Sequence, residues 1–505
     1  MKGNEVTKIG KLPAVLGLLS IIAFGLTNEI ASGLFFLTTQ VQVSSPGTGS
    51  LVPVLMAGGG VVILTSVLIY RFFFASGLFG AGGEYVMIAH TVGRPAAFIA
   101  TFVSWFGATA VMGTLASVAP LFLANAFSGF GLQNAAAFCS SNTGILVIGL
   151  ALIWVFWGIH AIGVRVAGLL ATVSMFLVFI AALLLIIIGF HTTPSALGAE
   201  LSSKLHVTMT QAIHRAPVQS TSLKAAFMGA LPVLFFGYLG LSTATQTGAE
   251  AKNARRNLPL AVLVTVLVVI GIYIIFSMAV YHAVPWQAVG GLNAMGLKSY
   301  TTASGLLGLM LPTWVNSLLG LALAIILAKT FIPVFLAQSR WVYAWAEEDL
   351  IPKAFAHIHP RFGTPMRALT IGVVLSSLSL IETLYVGVSF GASERVLAAM
   401  LVFICLGIGM LTFPRYAPDL YKQNKSWLAG HRVMQILLGI LMILMSLFFV
   451  WSIITSSSNS PILLQPYVQL IIVSLVGMIL YVTYSRRKRE RVFVKPNESQ
   501  EGNIS

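Results

Sequence analysis

Apolar residues run in long blocks from one end of this chain to the other, separated by short polar breaks. The blocks lie at 13–42, 51–75, 96–125, 144–163, 166–190, 225–248, 259–283, 306–339, 367–389, 395–413, 430–454 and 463–484. Each meets or approaches the roughly 20 residues a helix needs to cross the hydrocarbon of a bilayer. The pattern predicts an all-α membrane protein of about twelve transmembrane helices. The block at 306–339 is long enough to tilt or to extend into the cytosol.

Two blocks are interrupted. Thr27-Asn28-Glu29-Ile30-Ala31-Ser32-Gly33 puts polar and small residues in the middle of the first. Gly237-Tyr238-Leu239-Gly240-Leu241-Ser242-Thr243 does the same in the sixth. Irregular backbone at membrane depth survives only where it lines a cavity or is buried in protein. Two breaks five spans apart are the pattern of a transporter with inverted repeats and a site near the midplane. A broken helix offers free N–H groups with partial positive charge and free C=O groups with partial negative charge. A zwitterion such as an amino acid needs both. Close helix packing by small residues is the plainer alternative for either segment alone.

Composition agrees with the membrane reading: 57% of the 505 residues are hydrophobic and 9% charged. The net charge of +15 does not point to nucleic acid, because the basic residues sit singly between spans. With the N-terminus inside, twenty-three of the 29 Lys and Arg fall on the cytoplasmic side. Lys204, Arg215, Lys224, Lys298 and Arg395 fall outside, and Lys329 lies within a span. This asymmetry predicts a multi-pass cell-membrane protein with both termini cytoplasmic. Residues 1–485 read as one transporter domain. Residues 486–505 read as a basic cytoplasmic tail, expected to be disordered, whose Arg486–Arg491 run faces anionic lipid. The outer stretch 191–224 reads as a solvated loop; its three histidines match no metal spacing. Cys139 and Cys405 suggest neither a disulfide framework nor a metal site, and no cofactor is implied.

Further motifs fall at fixed places relative to the spans: Gly82-Gly83-Glu84-Tyr85, Phe236-Gly237-Tyr238-Leu239-Gly240, and Glu250-Ala251-Lys252-Asn253-Ala254-Arg255-Arg256-Asn257-Leu258-Pro259. Ser339-Arg340, Ile351-Pro352 and Gly363-Thr364-Pro365 follow. In this order they resemble the amino acid–polyamine–organocation (APC) permease superfamily, over roughly residues 12–485. The resemblance implies a leucine-transporter-like fold, a five-plus-five inverted repeat with helices 1 and 6 broken: 12–190 against 225–413, with peripheral helices in 430–484. It implies a substrate site at Asn28, Ile30, Ala31, Ser32 and Gly33 of the first break and Phe236, Tyr238, Leu239, Gly240 and Ser242 of the second. Amides near residues 31–33 would hold a carboxylate. Carbonyls near 236–239 would hold an ammonium, with the Phe236 ring closing over the substrate. The chain departs from the family pattern at Ala254, where the family has Pro, at Ser242, where it has Glu, and at Glu347-Glu348, where it has Arg-Asp. The family's acidic residue at the end of the second helix is also missing from Tyr70-Arg71-Phe72-Phe73.

Charged residues inside spans are expensive and are functional candidates. Glu29, Lys329 and Glu382 stand out. Lys329 lies 11 residues before Arg340, roughly 16 Å of helix rise. Sodium-dependent relatives of the fold bind sodium between spans one and eight, where this lysine ammonium takes sodium's place. Two readings stay open: a static Glu29–Lys329 pair, or a coupling and gating role for Glu29 and Lys329, since a buried lysine titrates readily. A free Glu29 favours a cationic substrate; a neutralised one favours a neutral amino acid. Glu84 is expected to tether an inner loop. The expected function is secondary active transport of amino acids or related organic amines, with proton symport or exchange. The alternatives are a polyamine or organocation exchanger and, in another class, a channel. A channel calls for a continuous polar lining rather than local breaks. An enzyme calls for paired acids, a nucleophile with its base or metal-spaced ligands within spans, whereas HExxH is absent and acids inside spans are few; ATP-driven transport calls for a G-x-x-x-x-G-K-[ST] loop, which does not occur.

Overall fold

The computed structural model describes residues 12–30, 33–217, 223–386, 391–457 and 461–485. Ala31, Ser32, the basic tail and the lysines at 2, 8 and 11 lie outside the described residues. Among those described, twelve helices are long and apolar enough to cross a membrane: Leu18–Ser44, Gly49–Ala75, Arg94–Gly129, Asn142–Ile162, Val164–His191, Leu223–Ala249, Ala254–Ala283, Thr313–Glu347, Met366–Tyr385, Ala392–Tyr416, Arg432–Ser456 and Pro466–Tyr484. They are called spans one to twelve below.

Every span expected from the apolar pattern is present, with shifted ends. Span eight begins at Thr313 rather than 306, because Leu311 is extended ahead of Pro312 (φ −95°, ψ 153°). A residue before proline avoids the helical region, so residues 303–310 form a separate short turn of helix outside the span. The stretch after span five is not a solvated loop. Pro194–Leu205 and Met209–His214 are helices, each capped by a threonine hydroxyl, Thr193 accepting from the Ala196 amide and Thr208 from the Gln211 amide. Leu197, Leu201 and Ala212 are buried beneath them. Lys204 Nζ donates to the carbonyls of Leu309 (2.5 Å) and Leu311 (3.1 Å), joining this layer to the segment before span eight.

Span one packs on span six, two on seven, three on eight and four on nine. The offset is five spans in each of these four pairs. Span three is the hub: it also touches spans nine, ten and twelve. Its glycines allow the approach, since a Cβ on Gly113 would lie 2.4 Å from the Leu380 backbone nitrogen. Span twelve leaves most of its surface outward-facing.

The connection between spans two and three folds inward. Gly82 (φ 92°) and Gly83 (φ 45°) take left-handed conformations that a side chain would strain. A Cβ on Gly83 would also lie 2.5 Å from Thr245 Oγ1. The turn buries Glu84 against spans two and six. Tyr70 donates its hydroxyl to Glu84 Oε1 (3.1 Å) and Gln246 Nε2 donates to Oε2 (2.5 Å). Burial pushes the Glu84 carboxyl up to about 7, against smaller opposing contributions from its own amide, Tyr70 and Arg395. A carboxyl whose folded pKa is raised stabilises the fold while protonated. That stability is complete below the ordinary glutamate range and is lost as pH rises through about 7. The expected outcome is a thermal midpoint that falls as pH increases from about 4.5 to about 7.5, with Glu84→Gln flattening this part of the profile; an unchanged profile in that variant would contradict it.

Candidate functional site

The first half of span one, Leu18–Glu29, stops where Ile30 leaves the helical region (φ −84°, ψ 71°). The chain resumes at Gly33 as one wide turn to Leu37, then continues as Thr38–Ser44. The last carbonyls of a helix have no partner of their own. Here Lys329 supplies one: its Nζ donates to the carbonyl of Thr27 and to that of Ile30 (3.2 Å). A cation at a helix C-terminus is also favoured by the helix dipole.

Lys329 reaches this point because span eight is itself interrupted, which the apolar pattern did not reveal. Its halves are Thr313–Ala328 and Phe331–Glu347. Pro333 has no N–H to give to the Lys329 carbonyl, so the turn tightens and the Ile332 amide takes it instead (3.0 Å). The side chain is 1% exposed.

The static Glu29–Lys329 pair is not formed. Lys329 binds backbone, and no Glu29–Lys329 contact within 4.0 Å occurs. Glu29 is buried and neither carboxyl oxygen has a full hydrogen bond. Its nearest polar group is the Leu241 amide, at the start of the helical turn Leu241–Gln246. Glu29 therefore faces span six, not span eight.

Span six is tightened rather than unwound. Leu223–Phe235 passes into a 3₁₀ turn at Phe236–Tyr238, and the helix restarts at Leu241. The carbonyls freed by this change are taken within the protein. Gly240 accepts from Thr243 Oγ1 (2.6 Å), and Gly237 accepts from Tyr273 (3.1 Å). The same Tyr273 hydroxyl, from span seven, donates to the Glu29 carbonyl (2.6 Å), so one group pins both breaks. The breaks cross at van der Waals distance. A Cβ on Gly240 would lie 2.7 Å from the Glu29 backbone nitrogen, and one on Gly33 would lie 2.8 Å from the Gly237 Cα.

Beside this crossing lies a small cavity. Of the expected site residues, Asn28, Phe236, Leu239, Gly240 and Ser242 line it. A second, smaller cavity adjoins it and is lined by Tyr238, Leu239 and Ser242, with Tyr70 and Glu84. The Tyr238 hydroxyl points away and donates to the Met56 carbonyl (2.8 Å). Glu29, Ile30, Gly33 and Lys329 line neither cavity; they form the layer behind it. Ala31 and Ser32 lie outside the described residues.

Two residues of this region were not anticipated. Tyr273 sits in an unbroken apolar run, where an aromatic residue reads as packing. Arg395, expected in an outer segment, is 7% exposed and lines both cavities. It opens an apolar run, so in the sequence it looks like an interfacial residue.

Trp341 lines the larger cavity, and its neighbour Arg340 forms a buried ion pair. Arg340 donates through Nε (3.0 Å) and Nη2 (2.5 Å) to the two carboxylate oxygens of Glu250. The backbone is tied at the same place: the Leu16 amide donates to the Glu250 carbonyl (2.9 Å) and the Lys252 amide to the Leu16 carbonyl (2.8 Å). Glu348, one of the departures from the family pattern, takes bonds from Arg94 (2.9 Å) and Tyr85 (2.5 Å).

Comparison with known proteins bears on this arrangement. The model of the amino acid permease family matches residues 16–481. The vacuolar cationic amino acid transporter 4 of Arabidopsis thaliana is 26% identical over 188 residues, 37% of this chain and 29% of that protein. Human cationic amino acid transporter 4 is 25% identical over 185 residues, 36% of this chain and 28% of that protein. The match thus spans less than a third of the length of these two relatives. The aspartate-proton symporter of Bacillus subtilis (strain 168) is 23% identical over 385 residues, 74% of this chain and 68% of that protein. Because the family match takes in all three interrupted spans and the cavity beside them, this chain belongs to the amino acid permease family.

Proposed function

We propose that this permease is a secondary active transporter that carries an amino acid by alternating access, with proton movement through Lys329 driving symport or exchange. The contact of the Lys329 ammonium with the Thr27 and Ile30 carbonyls carries the reading. It bridges spans one and eight by charge-assisted hydrogen bonds, so removal of its proton weakens the hold on the first half of span one. The five-span packing offset supports a five-plus-five inverted repeat, 12–190 against 225–413, with 430–484 peripheral. The backbone groups of the crossed breaks, where a carbonyl with one internal bond keeps a second lone pair, suit the charges of an amino acid. The relatives named for cationic amino acids and the one named for aspartate share this amino acid core. An organocation or polyamine substrate is disfavoured, because Glu29 lies behind the cavity while Arg395 lines it. A channel is disfavoured because the larger cavity has a mostly apolar rather than a continuous polar lining, and the Arg340–Glu250 pair beside Trp341 is buried.

The charge asymmetry of the connections supports a cell-membrane orientation with both termini cytoplasmic. The Arg340–Glu250 end is then the cytoplasmic gate, closed in this structure. Opening it requires breaking the ion pair and the Leu16 backbone bonds. A single cysteine at exposed Gln133, in a background lacking Cys139 and Cys405, is expected to react with an impermeant thiol reagent from outside. One at exposed Asn253 or Gln423 is expected not to. The reverse labelling pattern would overturn the orientation.

The functional reading is tested in proteoliposomes. The wild type is expected to take up an amino acid saturably, to accumulate it with a pH gradient and to exchange it with internal substrate. Lys329→Met is expected to bind substrate and keep exchange but lose the pH-driven accumulation. Lys329→Arg is expected not to restore it, because arginine does not deprotonate in proteins. Accumulation by Lys329→Met equal to wild type would make the lysine a structural bridge only, and the absence of saturable exchange in the wild type would sink the transport reading.

A further inference from the structure

We infer that Arg395 is a substrate-contacting specificity residue that holds a second carboxylate, making the preferred substrate a dicarboxylic amino acid. The inference rests on the transport reading and on four observations.

The first is position. A Cβ on Gly107 of span three would lie 3.9 Å from the Arg395 Cα. Gly107 is 13 residues beyond Arg94, about 20 Å of rise along span three. Arg395 therefore sits within the membrane thickness, not in an outer loop. The second is burial without a contacting ion pair, the acid that acts on Arg395 being Glu84, across the smaller cavity. Buried charges are normally paired, yet among the described residues no carboxylate lies within 4.0 Å of this guanidinium. Its bond is to a neutral group, Nη1 to Ser104 Oγ at 3.1 Å. A guanidinium has five N–H donors, so most of its capacity remains for something else.

The third is that the neighbouring acids are engaged. Glu394, next in the chain, turns back to accept from the Gly391 amide (2.8 Å) at the start of its own helix. Glu84, across the smaller cavity, accepts from Tyr70 and Gln246. The fourth is what Arg395 faces. It lines both cavities together with Leu239 and Ser242, and the larger one with Asn28 and Phe236 at the crossing of the breaks. A substrate whose backbone ammonium and carboxylate lie along the breaks presents its side chain to this wall. A side-chain carboxylate there meets the planar fork that binds carboxylates through two parallel hydrogen bonds. Ser242 stands where the family pattern has a glutamate, so the position beside Arg395 carries no competing acid.

The test is competition binding on purified full-length protein, with L-aspartate and L-glutamate set against L-asparagine, L-glutamine, L-leucine and L-lysine. The wild type is expected to prefer each acid over its own amide by at least tenfold. Arg395→Gln is expected to lose affinity for the acids by on the order of a hundredfold and to bind the amides as well as wild type does. Arg395→Lys is expected to recover only part of the loss, because a point charge does not replace the fork. Ser242→Asp places a carboxylate against Arg395 and is expected to weaken acid binding similarly, so it decides the matter if Arg395→Gln does not fold. Preference of the wild type for neutral or cationic amino acids, or undiminished acid binding in a folded Arg395→Gln or in Ser242→Asp, would overturn the inference and leave the transport reading standing. Failure of every amino acid to bind or exchange would instead overturn the transport reading.

Discussion

The ammonium of Lys329 on the two carbonyls that end the first half of span one is the contact on which this structure turns. A membrane interior offers no water to satisfy backbone that leaves its helix, and each unsatisfied group costs several kcal/mol. A break in a span therefore requires a partner brought from elsewhere. Span eight provides it, and it does so by breaking too, since Pro333 withholds the amide that would have kept Lys329 in a regular helix. The interruption of one span is thereby tied to that of another. A charge that bridges them is also a charge whose removal changes how they fit.

The second constraint is closeness. Span six does not unwind, and its freed carbonyls go to Thr243 and Tyr273. Tyr273 spends one hydroxyl on both breaks, which is possible only because Gly33 and Gly237 leave room for it: a Cβ on either would come within 2.6 Å of that oxygen. The crossing is thus backbone against backbone, and the side chains on either side of it, Asn28, Phe236 and Ser242, are left to face the cavity. The polar interior follows from the same arrangement. Groups facing the crossing's back, such as Glu29, are sealed in protein, while Arg395 lines the cavities and makes no direct ion pair with any acid among the described residues.

The twelve spans were legible because hydrophobic length is a direct physical requirement of the bilayer, and the breaks in spans one and six because Gly, Ser, Thr and Asn there contradict their apolar surroundings. The Gly82-Gly83-Glu84 turn was legible for a similar reason: its glycines occupy left-handed conformations, and Glu84 has no other place in an apolar stretch. The break in span eight was not legible, because a single proline beside a lysine is a weak mark in a run otherwise apolar. The partner of Lys329 was misjudged because a sequence names charges, whereas the structure satisfied this one with carbonyls that every residue carries. Arg395 was misplaced for a geometric reason. Span nine is short and span three long, so the start of span ten lies below the outer edge of its neighbours. The helices over residues 194–214 escaped notice because their amphipathic stretches are too short to stand out from a polar loop.

On the proposed function, substrate occupies the cavity beside the crossed breaks. The most direct measurement is substrate protection of single cysteines placed at Asn28 and at Ser242, in a background lacking Cys139 and Cys405, with a cysteine at distant Gln133 as the reference. The account predicts that saturating amino acid slows alkylation at both cavity positions, in proportion to its binding, and leaves the reference rate unchanged. Alkylation at Asn28 and Ser242 that proceeds at the same rate with and without a bound amino acid would place the substrate elsewhere and contradict the account.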